Sequence, residues 1–180
     1  MNRVFMIHGW EGSGNNHWFP WLRGKLEEKG CKVFSPDMPN TNNPQREEWI
    51  LYLRDLVGET DAETYFVGHS LGCQAVMRLL EGKKSVGGSV LVACFLDVDF
   101  EDPAESILRP WIDAPLDVTT IPGPIVAIFS DNDKWIPTDE EKNFKFTKEI
   151  IILHNMGHFT AGDGVTELPI VLEKLEEMFS

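Results

Sequence analysis

A chain of 180 residues, 42% of them hydrophobic, can fill one core but not two, so a single domain is expected. Its formal net charge of −13 argues against nucleic acid, anionic membrane surfaces and polyanionic substrates, because like charge repels them at long range. No apolar run approaches the ~20 residues that span a bilayer, and MNRVFMIHG lacks the apolar core and cleavage site of a signal peptide, which predicts a soluble, unexported, cytoplasmic protein.

The first strand is Val4 to Ile7, an apolar run without alternation, as a parallel strand covered on both faces requires. His8-Gly9-Trp10 ends it, and the polar, glycine-rich loop EGSGNNH leads into a helix from about Trp18 to Lys29. His8 and His17 lack the third ligand that a metal site needs, and His8 reads as a residue that braces the loop. A second strand, Cys31 to Ser35, runs into PDMPNTNNP, a long loop at the same edge of the sheet. Asn43-Pro44 then opens a helix over 44–57, in which Trp49, Ile50, Leu53, Leu56 and Val57 form a core-facing stripe.

Strand 64–67 is followed by GHSLG and a helix to about Glu81. After the polar turn KKSVGG comes the buried strand SVLVACF, and the composition then shifts from Asp97 to Pro122, with four prolines and no clear period. A segment of this length has room for a short helix and forms at most a minimal lid. Strand 123–130, the loop DNDKWIP, a helix over 138–146, strand 149–153, the loop HNMGHFTAGDG and a final helix from about Val165 to Phe179 complete the chain. Alternating strand and helix predicts an α/β architecture, a mostly parallel sheet of about six strands with helices on both faces. Cys31, Cys73 and Cys94 are odd in number and show no CxxC spacing, so they read as buried free thiols of a reducing compartment.

Chemistry concentrates at GHSLG. A serine at a sharp strand-to-helix turn, flanked two residues either side by Gly68 and Gly72, is a nucleophile elbow: the turn strains the backbone and lifts Oγ above the sheet edge. The competing reading, a glycine-rich turn whose serine caps the helix, is decided by partners elsewhere. An elbow serine needs a base and an orienting acid, which arrive in the order Ser, Asp, His. The loop after strand 123–130 offers Asp131 and Asp133, and the loop after strand 149–153 offers His154 and His158. Loop position favours Asp133 and His158, which sit farther past their strands, with Asp97 or Asp99 as the alternative acid. The amides of Leu71 and Trp10 are the expected oxyanion-hole donors.

The segments HGWEGSGNNHWFPWL, PDMPN, VGHSLGC, SDNDKWIP, NMGHF and LPIVLEKL together resemble the small serine hydrolases of the α/β-hydrolase superfamily that include the retinoblastoma-binding protein 9-like family and its bacterial relatives. The resemblance covers nearly the whole chain. It implies a compact α/β-hydrolase fold without a large cap, a triad on Ser70, Asp133 and His158, and carboxylesterase-type activity on small esters. No L-x-C-x-E sequence occurs, so retinoblastoma binding is not implied.

The expected activity is therefore hydrolysis of small, apolar, uncharged esters through an acyl-enzyme on Ser70, without metal or organic cofactor. A thioesterase or amidase with the same triad, or an interaction module with residual activity, is the alternative. Trp10, Trp18, Met38, Phe95, Phe100, Trp111, Trp135 and Phe159 fall on or beside loops of the same edge and can line an apolar pocket, burial in the core being the competing reading for each.

Overall fold

The structure is a computed structural model that describes residues 1–97 and 104–179. Six short strands carry the sheet: β1 (Arg3–Ile7), β2 (Lys32–Phe34), β3 (Thr64–His69), β4 (Gly88–Val92), β5 (Ile125–Ser130) and β6 (Glu149–Leu153). They pair in the order β2-β1-β3-β4-β5-β6, every pair parallel. Every residue of β3, β4 and β5 is buried, which is why these strands read as unbroken apolar runs. At the edge, β6 alternates, with Ile150 and Ile152 exposed.

Among the described residues there are five α-helices, four between strands and one after the last: α1 (Phe19–Glu28), α2 (Arg46–Val57), α3 (Leu71–Leu80), α4 (Ala104–Ile112) and α5 (Pro169–Met178). α1 packs against α5 and α2 against α3, so the sheet is covered on both faces. This is the parallel α/β arrangement expected from the alternation of elements, and it fits the α/β-hydrolase fold that the resemblance implies. The strand order reverses between β1 and β3, so the loops leaving their carboxyl ends turn to opposite faces and open a crevice between them.

Three helices depart from the expected bounds. α2 starts at Arg46 because Gln45, after Pro44, is still extended. α5 starts at Pro169 and not near Val165: a residue before proline is driven out of the helical region, and Leu168 has φ −140° and ψ 76°. Thr138–Phe144 forms a 3-10 helix where an α-helix is expected. In this tighter turn Glu140 and Phe144 both face inward, and the Glu140 carboxylate accepts the N–H groups of Leu96 (2.6 Å) and Asp97 (3.2 Å). Burial raises the Glu140 pKa above its ordinary value.

The segment after β4 holds α4 and a short 3-10 helix, Val118–Thr120, in line with a minimal lid. Its far end is tied down. Trp111 packs edge-on against Trp49 and donates Nε1–H to the Pro44 carbonyl, while the Arg78 guanidinium donates to the carbonyls of Trp111, Ala114 and Pro115. Among the described residues no helix is long and apolar enough to cross a membrane. Cys31, Cys73 and Cys94 are buried free thiols.

Candidate active site

Ser70 stands between β3 and α3 with φ 55° and ψ −121°, a left-handed conformation in which a side chain is strained. Packing enforces the turn. A Cβ on Gly72 would lie 2.0 Å from the Ile7 carbonyl oxygen, and one on Gly68 would lie 2.8 Å from the Cys73 backbone nitrogen. α3 can therefore approach β1 and fold back on β3 only with glycine at both positions. The Ser70 N–H is satisfied by the Val92 carbonyl (2.9 Å), which locks the turn to β4.

His158 reaches Ser70 from the loop after β6. Its Nε2 lies 2.9 Å from Ser70 Oγ, and its Nδ1 lies 2.8 Å from Asp133 Oδ2. Because Nδ1 faces a carboxylate it carries the proton, leaving Nε2 to accept from the serine hydroxyl. The Asp133 side chain is only 2% exposed, and its Oδ1 also accepts the N–H groups of Trp135 (2.8 Å) and Ile136 (3.1 Å). Asp131, the competing acid, binds His154, the competing base, at 2.5 Å, and this second pair lies away from Ser70 with His154 84% exposed. Asp97 is engaged through its backbone N–H by Glu140, and Asp99 and Phe100 lie outside the described residues.

The two carboxyl-edge loops that carry His158 and Asp133 are stitched together. Asn132 Oδ1 accepts the Gly157 N–H (2.8 Å) and the Ser130 hydroxyl (2.8 Å), while Ser130 Oγ accepts the Met156 N–H (3.0 Å). The His158 backbone N–H donates to Asp163 (3.0 Å), and its carbonyl accepts Nε2–H of His69 (2.9 Å). His69, the residue before the serine, is buried. Burial, and secondarily the nearby His158, holds its pKa well below the ordinary histidine value, so the ring is neutral.

Beside Ser70 opens a cavity of about 350 Å³, at the lower end of the range for small-molecule sites. It occupies the crevice between β1 and β3. Part of its lining is the β1–α1 loop, including Trp10, Glu11, Ser13, Asn16 and His17, and Leu108, Trp135 and Ile136 add apolar side chains. Trp10 and Leu71 both line it, and a Cβ on Gly9 would lie 3.0 Å from Ser70 Cβ, so the Gly9-Trp10 backbone passes directly beside the serine. Leu71 is the first residue of α3, where backbone N–H groups have no partner within the helix.

The expected apolar lining is corrected in most of its members. Trp18, Met38, Phe95, Trp111 and Phe159 are buried in the core, at most 3% exposed, and do not line the cavity. Trp18 packs against Phe19 and His69, and Trp111 against Trp49, because apolar surface in these loops is drawn under the helices. Only Trp135, 53% exposed, and Trp10 lie where the expectation put them. His8 braces the loop as expected: Nδ1–H donates to the Gly9 carbonyl (2.8 Å) and Nε2 accepts the Met38 N–H (2.9 Å).

The lining residues not anticipated include Asn16, His17, Phe19, His69, Leu108, Ile136 and Thr160. For the first two a signal existed, a polar glycine-rich loop directly after the first strand. Leu108 gave none, because it lies in a stretch without period. Among the described residues no three His, Cys, Asp or Glu side chains cluster to hold a metal ion.

Comparison with known proteins agrees with this architecture. The chain is 32% identical to the Bacillus subtilis protein YdeN over 186 residues, covering 99% of this chain and 96% of YdeN. The solved structure of the B. subtilis ydeN gene product superposes with a TM-score of 0.88 over 99% of both chains at 30% identity. A YdeN-like protein of Pectobacterium atrosepticum superposes at 0.70, covering 98% of this chain and 90% of that one at 20% identity, a likeness of fold alone. The family model described as serine hydrolase matches residues 4–177, and the chain therefore belongs to that family of small hydrolases in the α/β-hydrolase superfamily.

Proposed function

We propose that this hydrolase is a carboxylesterase-type enzyme that cleaves small, uncharged esters through an acyl-enzyme on Ser70, and that it works as a single domain in the cytoplasm without a cofactor. The observation that carries the reading is the hydrogen-bonded chain from Asp133 through His158 to Ser70 Oγ, ending at the cavity. In this reading His158 Nε2 takes the hydroxyl proton as Oγ attacks the ester carbonyl, and Asp133 stabilises the imidazolium that forms. The amides of Trp10 and Leu71 bind the oxyanion. His158 then protonates the leaving alcohol, and water, deprotonated by the same imidazole, releases the acid. The apolar face of Leu108, Trp135 and Ile136 supports a small neutral substrate. The buried, unpaired thiols support a reducing compartment.

The test is labelling with a fluorescent fluorophosphonate alongside hydrolysis of p-nitrophenyl acetate and butyrate. Wild type is expected to label and to turn over both esters, and Ser70→Ala to lose labelling and about 10⁴-fold or more in kcat. Unchanged turnover in the Ser70→Ala protein would refute the assignment.

A further inference from the structure

The part of the cavity lining supplied by the β1–α1 loop is mostly polar, whereas Leu108, Trp135 and Ile136 supply apolar surface. His17 is held there in a left-handed backbone conformation, φ 57°, of the kind that persists in a non-glycine residue only where its surroundings enforce it. Its Nδ1 accepts the Ala161 N–H (3.0 Å), so the ring proton sits on Nε2. The ring packs edge-on against His69 at 5.7 Å, and His69 in turn lies 5.2 Å from the ring of His158, which ties His17 to the reacting groups. No protein acceptor meets His17 Nε2–H among the described residues. Next to it, Asn16 Oδ1 accepts the Ser13 hydroxyl (2.5 Å), and among the described residues its amide nitrogen meets no protein acceptor either. Two oriented donors thus border the same cavity as Ser70. Burial keeps His17 below the ordinary histidine pKa, so it serves as a neutral donor at pH 7.

We propose that His17 and Asn16 form a donor pair that reads an uncharged oxygen acceptor on the substrate, an ether, hydroxyl or keto oxygen separate from the scissile ester, so that oxygenated short-chain esters are preferred to plain alkyl esters. The acceptor is uncharged because Glu11 borders the cavity and, among the described residues, no Lys or Arg lines it. Both side chains are half-buried, so each donor is met by water in the free enzyme, and a substrate that displaces this water without supplying an acceptor loses that hydrogen bond, which is how a polar lining becomes selective. The proposal rests on the esterase reading.

The experiment compares kcat/KM for two matched pairs, p-nitrophenyl methoxyacetate against p-nitrophenyl butyrate for the acyl side, and 2-methoxyethyl butyrate against butyl butyrate for the alcohol side. Each is measured with wild type, His17→Phe and Asn16→Asp, the last of which keeps the shape and the acceptor for Ser13 but reverses the outward-facing donor. Dividing the oxygenated by the plain rate in each protein cancels any general loss from either substitution, and comparing that ratio between proteins cancels the intrinsic reactivity of the esters. In at least one pair, this ratio is expected to fall about tenfold from wild type to each variant, the worth of one neutral hydrogen bond. Ratios unchanged in both pairs, in whichever of the two variants folds, overturn the proposal while leaving the esterase reading intact. Wild type that turns over none of the four esters overturns both.

Discussion

At the scale of single residues, the site depends on which proton each imidazole carries. His158 can accept from Ser70 only while Asp133 holds the proton on Nδ1. Asp133→Asn would keep an oxygen for the Trp135 and Ile136 amides but turn an N–H toward His158, forcing the opposite tautomer. A loss of about 10⁴ in kcat with an unchanged fold is expected, read by steady-state kinetics and circular dichroism. His69 makes a different prediction. Its folded pKa is depressed, so below the unfolded value of ~6.5 the unfolded chain takes up a proton that the folded one refuses. The unfolded state then binds more protons, and stability falls as pH is lowered through that window by up to ~1.4 kcal/mol per pH unit for this group. Urea unfolding between pH 7.5 and 5.5 should show the loss, and His69→Gln should show a shallower one. An equal slope in both proteins would mean that His69 does not titrate this way.

At the scale of elements, two glycines in helices bear opposite predictions. A methyl group on Gly72 would meet the carbonyl oxygens of Ile7 at 2.0 Å and His8 at 2.7 Å, backbone atoms that cannot swing away. Gly72→Ala should therefore cost more than ~3 kcal/mol or abolish folding, by pushing α3 off β1 and misplacing Ser70. Gly24, in the middle of α1, has nothing within 4 Å of its would-be Cβ, so Gly24→Ala should stabilise by up to ~1 kcal/mol through helix propensity alone. Thermal denaturation of the two variants checks both signs together. The elbow was legible in GHSLG because the same two glycines that make a motif on paper make a close contact in space. The start of α5 could also have been read from Pro169, whereas the 3-10 turn at Thr138–Phe144 goes with Glu140 reaching across to Leu96 and Asp97 in the loop after β4.

At the scale of the whole molecule, the net charge of −13 acts on encounter. A singly anionic ester, such as p-nitrophenyl hemisuccinate, should have a lower kcat/KM than the neutral p-nitrophenyl valerate. The gap should narrow as ionic strength rises through about 0.1 M, where the Debye length falls to ~10 Å. A gap that does not respond to salt would place the discrimination in local contacts of the cavity, such as Glu11, and not in the overall field. The reversal of strand order between β1 and β3 explains why the cavity opens where it does: the loops carrying Trp10 and Ser70 leave adjacent strands for opposite faces of the sheet.

By itself the sequence determined the α/β class, the parallel sheet, Ser70 at its turn, and the candidate acids and bases on the carboxyl-edge loops after the last two strands. These are written in local pattern and chain order: apolar runs of strand length, glycines at fixed offsets, and polar loops after each strand. Tertiary structure alone decided the pairings and the lining. Asp131 and Asp133 are two residues apart, and loop position favoured Asp133 without showing what either would touch; one meets the exposed His154 and the other the half-buried His158, because stitching by Ser130 and Asn132 sets how far each loop turns. Trp18 and Trp135 likewise both flank the edge, and one is fully buried while the other is half exposed. Which way an aromatic ring faces in an aperiodic loop depends on what the rest of the chain packs against it, and that is a property of the assembled fold.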